Sequence, residues 1–105
     1  MTKVFPILVA AAFSLCATPG PAEEAIDGAT LFAEGCAQCH GRTGRGSGAF
    51  PTLRGKSLSY LTSRLEKYRA AERVGPNSML MYPVAEGLTD ADIGALAMHI
   101  SESYR

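Results

Sequence analysis

The stretch EGCAQCHGRTG, residues 34–44, separates Cys36 from Cys39 by two residues and sets His40 directly after the second cysteine. Cysteine pairs serve zinc binding, thiol redox exchange and the attachment of a prosthetic group, and the histidine helps to separate these chemistries. A closed zinc site takes four nitrogen or sulfur ligands. The other histidine, His99, lies far along the chain with no fourth candidate beside it. A thioredoxin-like pair belongs to a βαβ setting, and no segment here alternates convincingly as a strand.

On a helix, positions three and four apart share a face, so Cys36, Cys39 and His40 point the same way. Two thiols so placed can add to the two vinyl groups of a haem while the imidazole reaches the iron, and this is the spacing of c-type haem attachment. The expectation is one haem c, covalent through Cys36 and Cys39, with His40 on its iron. A methionine on the opposite side would raise the reduction potential, because a neutral, soft thioether favours ferrous iron. Met98 sits in the middle of a helical stretch, whereas Met79 and Met81 lie on a loop rich in Gly and Pro that can cross the haem face opposite His40. Alternation along an extended segment would point Met79 and Met81 in the same direction, so spacing leaves both open.

Working outward, three helical stretches emerge. The first starts at Asp27 as N-cap, runs through GATLFAEGCAQCH with Leu31, Phe32 and Gly35 offering a packing face, and ends at Gly41. The second opens at Ser57 and runs to about Arg73, with Leu58, Leu61, Leu65 and Tyr68 forming one apolar stripe. The third opens with a capping box, Thr89 to Asp92, and directs Ile93, Leu96, Ala97 and Ile100 inward. The connection GRTGRGSGAFPTLRGK holds five glycines and a proline in sixteen residues, and GPNSMLMYPVAEG joins the last two helices.

The first 22 residues have a different character. A short basic start, the apolar run VFPILVAAAFSLCA and the small residues of TPGPA predict a secretory signal peptide cleaved after Ala22. The run is too short for a comfortable membrane anchor, and Leu15 before Cys16 is too bulky for a lipidation signal. Removing 22 of the 105 residues leaves 83, residues 23–105, which form one small domain with Cys36 and Cys39 as its cysteines. A chain of that size buries little core and gains from a bound group. Charge is nearly balanced but uneven: residues 23–41 carry four acids and no base, residues 42–73 eight bases and two acids, and the remainder returns to −3. Such a dipole can orient docking. Without an excess of positive charge or interleaved aromatic and basic residues, nucleic-acid binding has no support.

With CAQCHG ending the first helix, FPTLRG after the glycine loop, YLTSRLEKYRAAER in the middle and MYPVAEGLTDADIGALAMHI at the end, the chain resembles the class I c-type cytochromes. The resemblance implies an all-α fold, three main helices and loops wrapped around one covalent haem. It implies Met81, two residues before Pro83, as the sixth ligand opposite His40. It also implies Pro51 as the residue whose carbonyl accepts from the other ring nitrogen of His40, which would fix the tautomer and raise ligand basicity. The sequence departs at His99, where the family usually has an aromatic that packs near Phe32; this histidine reads as a packing or surface residue.

The function implied is periplasmic one-electron transfer between redox protein partners, with no enzyme activity and no membrane anchor once the leader is removed. The middle helix and AEGLTDADI are also similar to haem subunits of flavocytochrome c sulfide dehydrogenases, so a flavoprotein partner is the alternative. Peroxide reduction or gas sensing at the iron would need an open sixth position, and the available methionine argues against both.

Overall fold

The computed structural model describes residues 27–105, together with residues 2–4, 6, 10–12, 14 and 15. Cys16, the cleavage position at Ala22, Glu23 and Glu24 lie outside the described residues. Among the described residues no helix is long and apolar enough to cross a membrane.

The order is α1 (Gly28–Gly35), α2 (Ala37–His40), α3 (Leu58–Arg69), a 3-10 turn (Ser78–Leu80), α4 (Tyr82–Ala85) and α5 (Asp90–Ser103). The expected first helix is therefore two: the ladder breaks at Cys36, whose φ of −120° departs from the helical well. Asp27 occupies the N-cap position, but its carboxylate accepts no capping hydrogen bond. Helix α3 starts at its Ser57 cap, with the Ser57 Oγ accepting from the Tyr60 N–H, and stops four residues earlier than the stripe suggested. The stop is a Schellman motif: Glu72 N–H donates to the Lys67 carbonyl and Ala71 N–H to the Tyr68 carbonyl. The left-handed residue this motif needs is Ala71, at φ 56°.

Helix α5 opens with the capping box, Thr89 Oγ1 accepting from Asp92 N–H and the Asp92 carboxylate accepting from Thr89 N–H. Its buried residues are Ile93, Leu96, Ala97 and Ile100, which pack with Phe32 of α1 and Leu61 and Leu65 of α3 into one core. Burying each of the larger of these side chains stabilises by about 1.5–3 kcal/mol. Leu58, at the other end of the expected stripe, is exposed, and Tyr68 turns to the cleft described below.

Helices α1 and α5 approach closely because Gly28 has no side chain: a Cβ there would collide with the carbonyl oxygen of Ala95. Beside this crossing, Phe32 packs its ring on Tyr104 at 5.2 Å and on His99 at 5.6 Å between centroids. His99 thus does the packing task of the aromatic it replaces. Arg69 ties the end of α3 to the start of α5, pairing with Asp90 at 2.7 Å and donating to the Leu88 carbonyl.

Candidate haem site

The three helices leave a cleft between the α1–α2 corner, the glycine-rich loop, α3 and the segment before α5. It comprises a cavity of about 350 Å³ and an inner one of about 190 Å³, which share Cys36, His40, Pro51, Tyr60, Arg64, Tyr68 and Met81 in their walls. The larger alone falls in the range of ligand pockets.

Cys36 sits at the break between α1 and α2, and Cys39 and His40 belong to α2, so the motif brings all three to the wall of the larger cavity. The two thiols are free, Cys36 buried and Cys39 exposed, and burial pushes the Cys36 thiol up to about 11. His40 is 7% exposed. Its Nδ1 lies 2.9 Å from the carbonyl oxygen of Pro51. A carbonyl only accepts, so Nδ1 carries the proton and Nε2 keeps its lone pair for a metal.

The Pro51 carbonyl is held in place by a tightly wound loop. Gly46 N–H donates to the His40 carbonyl at 2.7 Å, Leu53 N–H to the Gly44 carbonyl at 2.7 Å, and Ser47 and Phe50 exchange backbone hydrogen bonds. Gly46 has φ 68°, and a Cβ on it would collide with the Phe50 carbonyl, so only glycine fits this turn. The loop is closed from the far end of the chain: Tyr104 Oη donates to the Arg42 carbonyl at 2.8 Å, and the Tyr104 carbonyl accepts from Gly55 N–H. Neither contact carries a local sequence signal.

On the other wall, Met81 closes the 3-10 turn and opens α4. Its N–H donates to the Ser78 carbonyl and its carbonyl accepts from Ala85 N–H. Ser78, only 5% exposed, accepts with its hydroxyl from both Val74 N–H and Gly75 N–H, pinning the loop in front of the turn. Pro83, in the first turn of α4, needs no hydrogen-bond partner there. Because this segment is turn and helix and not extended chain, the expected alternation fails: Met81 lines both cavities, whereas Met79 lines neither and is 61% exposed. Met98 is also exposed, and His99 borders neither cavity.

The donor set fits a covalent haem: two unpaired thiols, an imidazole with its outer nitrogen occupied, a thioether, and walls that are mostly apolar. The sequence profile of the cytochrome c family matches residues 25–103. The chain belongs to the cytochrome c family. It carries haem c through Cys36 and Cys39, and it moves electrons without catalysing bond chemistry. This cytochrome is 43% identical over 67 residues to cytochrome c-554(548) of Halomonas halodenitrificans, covering 63% of this chain and 81% of that protein. It is 28% identical over 102 residues to the cytochrome subunit of sulfide dehydrogenase of Chlorobaculum tepidum, covering 92% of this chain and 90% of that one. Its fold matches the cytochrome c4 structure of Acidithiobacillus ferrooxidans with a TM-score of 0.63 at 30% identity, over 70% of this chain. The match spans 46% of that longer protein.

Proposed function

We propose that His40 and Met81 are the axial ligands of the haem iron, and that the cytochrome is an exported, periplasmic carrier shuttling single electrons between protein partners. The observation that carries this reading is that His40, its Nδ1 engaged by Pro51, and Met81 line the same two cavities from separate segments of the chain. When bound, the haem supplies one iron that gains and loses one electron. The chain's own residues keep the ligand geometry constant between the two states. Pro51 fixes the imidazole, while the Ser78 turn and Pro83 fix the thioether, which keeps reorganisation small. Export rests on the leader, residues 1–22 cleaved after Ala22, leaving residues 23–105 as the domain.

Transient docking is supported by exposed apolar side chains beside the sixth-ligand segment, Met79, Leu80 and Val84. Docking of this kind needs only a small interface, helped by complementary charge. A second reading, a haem subunit held by a flavoprotein, is favoured by the likeness to the sulfide dehydrogenase subunit along 92% of the chain. Size-exclusion chromatography of native extract, read by visible absorption, separates the two. Haem bands alone at the mass of one small domain support the free carrier, and haem coeluting with flavin at higher mass would replace it with the complex. The ligand assignment is tested by the sulfur-to-iron charge-transfer band of the ferric protein, expected in the wild type and absent after Met81→Ala.

A further inference from the structure

The Pro51 carbonyl that engages His40 is carried by two arms of one loop, residues 41–46 and 52–55, and both arms meet Tyr104. On the first arm, the Tyr104 hydroxyl donates to the Arg42 carbonyl at 2.8 Å. On the second, the Tyr104 carbonyl accepts from Gly55 N–H at 2.9 Å. Between them the ring lies over Gly44, where a Cβ would stand 3.0 Å from the Tyr104 Cδ2. The Gly44 carbonyl joins the two arms, accepting from Leu53 N–H at 2.7 Å and from the Thr52 hydroxyl at 3.2 Å. The ring is seated against Phe32 at 5.2 Å and edge-on to His99 at 5.7 Å between centroids. A phenol is protonated at neutral pH, and desolvation by burial raises this one further, so its O–H stays available to Arg42. The other backbone contacts, Gly46 N–H to the His40 carbonyl and the Ser47–Phe50 pair, join the loop to itself or to the haem motif, whereas Tyr104 joins it to α5 and Phe32.

A hydrogen bond from the outer N–H of an axial histidine lends the imidazole anionic character and raises its basicity as a ligand. A more basic ligand favours ferric iron, the state of greater positive charge, so this bond lowers the reduction potential while a thioether raises it. Its strength depends on where the Pro51 carbonyl sits, because hydrogen bonds weaken as they lengthen and bend. Pro51 is exposed and has no N–H of its own to anchor it, so its carbonyl is placed only as well as the loop is. We propose that Tyr104 is a positioning residue for the axial histidine: by holding both arms of the loop it keeps the Pro51 carbonyl on Nδ1 of His40 and thereby holds the reduction potential down. This rests on His40 as an iron ligand. It goes beyond that reading by assigning part of the control of the potential to a side chain at the far end of the sequence that lines neither cavity.

The test uses the holo-cytochrome with Tyr104→Phe, which keeps the ring, and with Tyr104 replaced by 3-fluorotyrosine, whose more acidic hydroxyl is a stronger donor of nearly the same shape. Thr89→Ala, which removes the capping hydrogen bond at the opposite end of α5, is the control for a loss of stability alone. Each protein is followed by redox titration and by the exchange of the His40 Nδ1 proton with solvent, read by NMR in the ferrous state. At the applied potential that half-reduces the wild type, the ratio of ferrous to ferric haem is expected to rise about twofold or more in Y104F, with the Nδ1 proton exchanging about fivefold faster. The ratio should fall in the fluorinated protein, and T89A should keep both wild-type values. Unchanged values in Y104F, or equal shifts in T89A, would overturn the proposal. A lower ratio in Y104F would overturn it as well, because water reaching the iron would then outweigh the hydrogen bond. If Y104F fails to mature with haem, the fluorinated protein decides by the same two readouts. In the ferrous wild type, the haem ring current moves the carbon-bound ring protons of His40 far upfield when His40 is on the iron. Their absence there would overturn the ligation, while exchange of the Nδ1 proton still judges Tyr104.

Discussion

Tyr104 Oη donates to the carbonyl oxygen of Arg42 at 2.8 Å, a contact between residues 62 positions apart that fastens the C-terminus onto the loop following the haem motif. The same tyrosine accepts from Gly55 N–H through its own carbonyl. Two of the anchors of the loop that presents Pro51 to His40 therefore meet at one residue outside α5. Replacing Tyr104 with Phe keeps the ring packed on Phe32 and removes the hydroxyl. Stability is expected to fall by about 1 kcal/mol, read from denaturant midpoints at unchanged slope. Tyr104→Ala also loses the aromatic packing and should cost about 3 kcal/mol or more.

Under the proposed ligation, Met81→Ala is expected to lower the reduction potential and to let carbon monoxide bind the reduced protein, because it would remove a soft neutral ligand to ferrous iron. Met79→Ala, which alters a side chain outside both cavities, should leave both properties unchanged. A carbon monoxide complex in M79A and none in M81A would reverse the assignment.

At Ala71 the Schellman motif holds a side chain at φ 56°, where glycine carries no Cβ penalty. Ala71→Gly should therefore raise stability, by about 0.5–1 kcal/mol after the added unfolded-state entropy of glycine is subtracted. Thermal unfolding of the oxidised protein reads the sign directly.

Gly28 shows the opposite sensitivity. A methyl group there would press on the Ala95 carbonyl, which belongs to the backbone of α5 and has little room to yield. Gly28→Ala is expected to destabilise by about 1–3 kcal/mol despite the better helix propensity of alanine, as helices α1 and α5 are forced apart. Equal or higher stability in G28A, measured by chemical denaturation, would show that the crossing adjusts freely.

Ser78→Ala leaves the Val74 and Gly75 N–H groups without their shared acceptor in front of the Met81 turn. A loss of about 1–3 kcal/mol is expected for these two donors. Hydrogen exchange should localise the loosening to residues 74–81, with α5 still protected.

The sequence by itself determined what depends on neighbours along the chain. The Cys36, Cys39 and His40 cluster spans barely more than one helical turn, so its chemistry is legible without a fold. The same holds for the Thr89–Asp92 capping box and the inward face of α5, where a periodicity of 3.6 residues names the buried positions. Three-dimensional packing decided the rest. Which methionine faces the cleft depends on the 3-10 turn that Ser78 and Pro83 set up, and side-chain alternation cannot foresee it. The α1–α2 break at Cys36, the early stop of α3 at Ala71, the Gly28 crossing and the reach of Tyr104 to Arg42 each join groups with weak local preferences. The lining of the cleft by Arg64 and Lys56 is of the same kind, since on the sequence alone both belong to a basic stretch whose uneven charge points only to docking. Local propensities differ by less than about 1 kcal/mol per residue, whereas a core contact or a buried hydrogen bond contributes as much or more. Where the two disagree, the contacts between distant segments prevail.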